Sequence, residues 1–126
     1  MDRMDRLQLH YRAADGDITG IAERLQAGDP IDARDNAGFT PMHFAAQQSQ
    51  GPAVRALLQA GAEIDPQEGY GDTPLWRAIF NSRGDDEMVA ILLEAGADPD
   101  IHNASGVSPR ALAERLGKLG LLSSDS

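Results

Sequence analysis

The residues best suited to chemistry are two histidines, His10 and His43, 33 positions apart, and several short acidic runs. Imidazoles beside carboxylates can hold a metal ion or pass protons. The other parts of either site are missing. No third ligand stands near the histidines in sequence, and Asp98-Pro99-Asp100 lacks the further ligands and the glycine of a calcium loop. Asp85-Asp86-Glu87 reads as the start of a helix, where negative charge complements the dipole. No phosphate-cradling loop, nucleophile elbow or HExxH helix is present. There is no cysteine, which excludes disulfides and cysteine-ligated zinc. The expectation is a non-catalytic chain with no metal and no cofactor.

The spacing of the histidines points instead to the architecture. Leu25-Gln26-Ala27-Gly28, Leu58-Gln59-Ala60-Gly61 and Leu93-Glu94-Ala95-Gly96 are one pattern at steps of 33 and 35. Thr40-Pro41-Met42-His43, Thr73-Pro74-Leu75-Trp76 and Ser108-Pro109-Arg110-Ala111 run in phase with it. One period before Thr40, Leu7-Gln8-Leu9-His10 keeps the Leu and His but not the Thr-Pro. Each glycine precedes the next Thr/Ser-Pro by 12 residues, so the two extra residues lie between Thr73 and Gly96. They are placed in Asn81-Ser82-Arg83-Gly84, because a turn absorbs an insertion that a packed helix cannot. Each copy reads as helix, turn, helix, loop. Thr40 caps the first helix and Pro41 opens it. Met42, Ala45 and Ala46 follow at the spacing of an apolar helix face, and the alanines let a second helix approach. That helix carries Val54, Leu57 and Leu58 and stops at Gly61, read as a left-handed cap.

Period, Thr-Pro-x-His signature and Leu-x-x-Gly ending resemble the ankyrin repeat, from Leu7 to about Leu116. The resemblance implies an all-α ankyrin solenoid, a single domain over 1–122. It would hold three full repeats (about 7–39, 40–72 and 73–107), a shortened cap (108–122) and a disordered tail at 123–126. It implies that His10 and His43 hydrogen-bond within and between repeats. Asp32, Asp65 and Asp100, each four residues after a cap glycine, are expected to bond local backbone. Arg110, Glu114, Arg115 and Lys118 give the cap a polar, solvent-facing helix. Trp76 replaces the motif histidine and is read as filler between repeats. Arg77 and Arg83 flank it, and either pair with nearby acids or make a basic, aromatic spot on an acidic body.

Ankyrin proteins bind other proteins through loop tips and the exposed side of their first helices. On this sequence the resemblance puts candidate partner-binding residues at Arg34, Asn36, Phe39, Glu68, Tyr70, Asp72 and His102 on the tips. Gln47, Gln48, Arg77, Phe80, Asn81 and Arg83 lie on or just after the first helices. Phe39, Tyr70 and Phe80 are the expected anchors.

The net charge of −9 argues against a phosphate backbone as ligand and suits a basic protein partner, or simply solubility. The N-terminus is charged from its second residue, and Val89-Ala90-Ile91-Leu92-Leu93 is too short to span a bilayer. A free-standing, cytoplasmic, monomeric binding protein is expected, with no membrane and no nucleic acid. Arginine outnumbers lysine ten to one, a bias of high-GC bacterial genomes. Small acidic bacterial ankyrin proteins include some that resemble immunity proteins. The leading specific expectation is therefore an immunity or inhibitor protein that blocks a cognate toxin. The alternative is a general adaptor or regulatory subunit.

Overall fold

The computed structural model describes residues 6–82 and 87–122. Among them are seven α-helices and no strand. These are α1 (Gln8–Asp15), α2 (Ile18–Gln26), α3 (Pro41–Gln47), α4 (Gly51–Gln59), α5 (Pro74–Phe80), α6 (Glu87–Glu94) and α7 (Pro109–Arg115), followed by a 3-10 turn at Leu119–Leu122. The helices are only seven to nine residues long. Helices this short are marginal alone, so stacking must hold them.

The stacking is in two layers. α1, α3, α5 and α7 pack each on the next, and α2, α4, α6 and the 3-10 turn do the same behind them. The all-α solenoid expected from the repeat is the observed fold. Residues one period apart share a row through the core. Leu9, Met42 and Leu75 form one buried row, Ala13, Ala46 and Ile79 another, and Ile21, Val54 and Val89 a third on the back layer. Thr40, Thr73 and Ser108 cap α3, α5 and α7, accepting from the backbone N–H of His43, Trp76 and Ala111 at 3.3, 3.2 and 3.1 Å. Lys118 reaches back to the carbonyls of Ile79 and Ser82, at 3.3 and 2.7 Å, and ties the last repeat to the end of α5. Arg83 and Gly84 of the inserted turn, Asp85 and Asp86 of the expected helix start, and the tail at 123–126 lie outside the described residues.

Between repeats the chain forms finger loops, locked by a side chain at one repeated position. Seven residues after each cap glycine stand Asp35, Glu68 and Asn103. Asp35 Oδ1 accepts from the N–H of Ala37 and Phe39, both at 2.9 Å. Glu68 Oε1 accepts from Tyr70 and Asp72 at 2.7 and 3.0 Å, and Asn103 Oδ1 from Ser105 and Val107 at 2.9 Å each. One acceptor thus fixes two backbone donors in every finger. Adjacent fingers then join directly: Ala37 O accepts from Gly69 N–H at 2.8 Å, and Tyr70 O from Ala104 N–H at 2.9 Å. A side chain at Gly71, where φ is +82°, would meet Ala104 N at 2.6 Å, so both conformation and contact require glycine.

The repeated aspartates act differently from expectation. Asp32 and Asp65 accept not from local backbone but from the next repeat, at Glu63 N–H and Asp98 N–H, both 3.1 Å. Asp100 pairs instead with Arg110 at 2.8 Å. Burial pushes the Asp65 carboxyl up, against the pull of its bond to Asp98.

Candidate functional site

The starts of α1 and α3 are each bridged to the following finger by one ring. His43 Nε2 lies 2.8 Å from the Asp72 carbonyl. A carbonyl only accepts, so Nε2 carries the proton and Nδ1 accepts from Thr40 N–H at 3.2 Å. His10 repeats the arrangement, with Nε2 at 2.9 and 3.1 Å from the carbonyls of Ala33 and Phe39, and Nδ1 accepting from Leu7 N–H at 3.0 Å. Both rings are buried. Burial pushes His43 down to about 4, so it is neutral near pH 7 and serves as a brace.

In the third repeat this brace is gone. Trp76 holds the position, and its buried Nε1–H has no acceptor. The indole is half-buried and stacks on Phe80, with centroids 5.4 Å apart and planes at 21°. The register mate of Trp76 in the next repeat is Ala111, which leaves room for a large ring.

Arg77 organises the surroundings. Its guanidinium donates to Glu68 Oε2 through Nε, at 3.1 Å, and through Nη2, and also meets Asp72 Oδ2 at 3.2 Å. The same guanidinium lies 4.9 Å from the Phe39 ring centre, 5.7 Å from Trp76 and 5.8 Å from Tyr70. One paired cation is therefore shared among three aromatic rings. Burial pushes the Asp72 carboxyl up, while Asn103 Nδ2 at 2.9 Å and Arg77 draw it down.

The result is an open cleft of about 550 Å³ between the third and fourth repeats. Trp76, Val107 and Leu112 supply apolar surface, Tyr70 and Phe80 line it, and Arg115 is its outlying cation. Tyr70 and Phe80 are the most exposed large hydrophobic side chains among the described residues, at 66% and 54%. Such a surface can bind an apolar side chain of another molecule.

The expected contact residues do not all gather here. Tyr70, Asp72, Arg77 and Phe80 line this cleft. Gln47, Gln48 and Asn81 line a separate hollow of about 500 Å³ at the helix ends. Arg34 is exposed but bridges two fingers, donating to the carbonyls of Gly38 and Gln67 at 3.0 and 2.7 Å. Asn36 and His102 are exposed on the first and third fingers. Arg83 lies outside the described residues.

Three expectations change, and the two readings offered for Arg77 are resolved in favour of pairing with acids. Glu68 and Asp72 are buried, so their carboxylates serve the finger and Arg77 rather than a contact surface. Arg77 is paired with both acids and is not a free basic spot. Phe39 is half-buried against His43 and Phe44, with ring centres 5.5 and 5.6 Å away, so it packs as a core-edge residue. Trp76 is more than filler, since it lines the cleft as well as packing on Phe80. Leu112 and Arg115 were missed as cleft residues. Their signal was the register: they stand where the previous repeat has Arg77 and Phe80.

Among the described residues no three or more metal-binding side chains converge. No helix among them is long and apolar enough to cross a membrane. No curated protein matches the chain. The family model for ankyrin repeats matches in three copies over residues 9–103. Ankyrin repeats are generally protein–protein interaction modules and typically not catalytic. With its phased caps, histidine braces and stacked fingers, the chain belongs to the ankyrin-repeat family.

Proposed function

We propose that this protein works by binding a partner protein, with the cleft around Tyr70, Trp76 and Phe80 as the main contact. The observation that carries this reading is the meeting of the two most exposed aromatics at the repeat that has lost its histidine brace. Aromatic anchors in a concave surface supply most of the energy of such interfaces. Arg34, Asn36 and His102 on the fingers, and Gln47, Gln48 and Asn81 on the neighbouring hollow, form the polar surround.

The finer reading is an inhibitor of immunity type, which occludes a basic toxin. The net charge of −9 supports a basic partner, since opposite charge speeds encounter. A regulatory or adaptor role would use the same surface.

Affinity capture from the source cell, followed by mass spectrometry, tests the reading. Tyr70→Ala with Phe80→Ala should abolish capture of the specific partner while the melting temperature stays within a few degrees, because both side chains are mostly exposed. Undiminished capture by that double variant would exclude the cleft. A captured partner with an acidic surface would remove the toxin-inhibitor reading.

A further inference from the structure

We propose that the cleft recognises a partner segment in which an aromatic side chain is followed closely by a carboxylate. This rests on the protein-binding reading above and specifies its chemistry.

The apolar half of the site is formed by Tyr70, Phe80, Trp76, Val107 and Leu112. Its volume of about 550 Å³ accommodates a ring with its adjoining backbone. Tyr70 and Phe80 present exposed faces for stacking.

The charged half is decided by which groups are already engaged. Arg77 lines the cleft but is neutralised by Glu68 and Asp72. Asp72 is in turn held by Asn103. Arg115 makes no hydrogen bond or ion pair among the described residues, and it is exposed. It occupies the position of Phe80 in the following repeat, so cation and ring are neighbours across the stack. Arg115 is therefore the one cation lining the cleft that no carboxylate among the described residues engages. A carboxylate on the ligand can pair with it in two parallel hydrogen bonds.

The contrast with the rest of the molecule gives selectivity. With a net charge of −9 the body repels anionic segments elsewhere. A basic partner is drawn in by the whole field, but its acidic-aromatic segment is tolerated only at the cleft. That fixes the register of the complex.

The chain contains one tryptophan, Trp76, so its emission reports directly on the cleft. The probes are synthetic peptides with a central Phe in a Gly/Ser frame, followed within three positions by Asp, Asn or Lys. The Asp peptide should bind about tenfold more tightly than the Asn peptide, and Lys most weakly. Arg115→Gln should erase the Asp–Asn difference, and Arg115→Glu should shift preference to Lys. Both variants should fold normally, as checked by circular dichroism.

Equal binding of Asp and Asn peptides, preference for Lys, or no binding of any peptide up to about 1 mM overturns the proposal. So does an Asp preference that survives Arg115→Gln. None of these results touches the protein-binding reading, whose placement at the cleft fails only if Tyr70→Ala with Phe80→Ala leaves partner capture intact.

Discussion

Trp76 and Phe80 lie one helical turn apart on α5 with their rings stacked at 5.4 Å, while the indole N–H stays buried without an acceptor. The two braced repeats use a histidine here, satisfied on both ring nitrogens. Trp76→His should restore that brace, accepting from Thr73 N–H and donating to the Val107 carbonyl, the register mate of Asp72 O. Removing an unsatisfied buried donor and adding the brace should outweigh the lost apolar area, for a net gain of about 1 kcal/mol. Chemical denaturation measures this. A loss of stability would show that indole packing, not the cleft, keeps tryptophan in place.

Glu68 combines two roles, capping Tyr70 and Asp72 N–H with one oxygen and pairing Arg77 with the other. Glu68→Ala strands two backbone donors and leaves the half-buried Arg77 to Asp72 alone, so it should cost about 2–4 kcal/mol. Glu68→Gln keeps an acceptor and should cost roughly half as much, since the amide of Asn103 caps its own finger. Equal losses for the two variants would assign the whole effect to the ion pair.

Stability should fall in mild acid because of His43. Its pKa drops from 6.5 in the unfolded chain to about 4 in the fold. Between these values the unfolded chain binds more protons, so lowering the pH favours unfolding. The contribution is fully present above about pH 6.5 and lost as the pH falls through about 4. It amounts to roughly 3 kcal/mol at most. Asp65 and Asp72, whose carboxyls are raised, oppose the trend at its lower end. Denaturation midpoints across pH 4–7 should slope upward. The slope should flatten in His43→Ala, which also costs about 2 kcal/mol in lost hydrogen bonds. An unchanged slope in that variant would assign the acid sensitivity to other groups.

Ser49 adopts φ +58° at the turn between α3 and α4, where the first repeat has Gly16 at +71°. A side chain in this left-handed region carries strain, and Ser49 is exposed. Ser49→Gly should stabilise by about 0.5–1 kcal/mol, with strain relief exceeding the added freedom of the unfolded chain. A fall in thermal midpoint would mean that the unfolded-state term wins.

Periodicity carried most of the architecture. Thr-Pro caps and apolar rows repeat at 33 to 35 residues because each repeat must present the same face to its neighbour. Regular caps, helix order and the all-α class were therefore legible from spacing. So was the irregularity of the third repeat, where Trp76 breaks the histidine series. Linear spacing could not assign the charges. Glu68, Asp72 and Arg77 look like surface groups on a loop and a helix, but stacking buries the acids and joins the trio into one ion-pair hub. Arg115 was read only as part of a polar cap, though it lines the cleft. Phe39 shows the same limit from the apolar side, since its place beside His43 and beneath Arg77 is set by the neighbouring repeat. The sequence by itself determined the repeat unit, because hydrophobic burial and caps act within a few turns of chain. Only the tertiary structure decided which polar groups neutralise each other and which remain for a ligand, because that depends on distances between repeats.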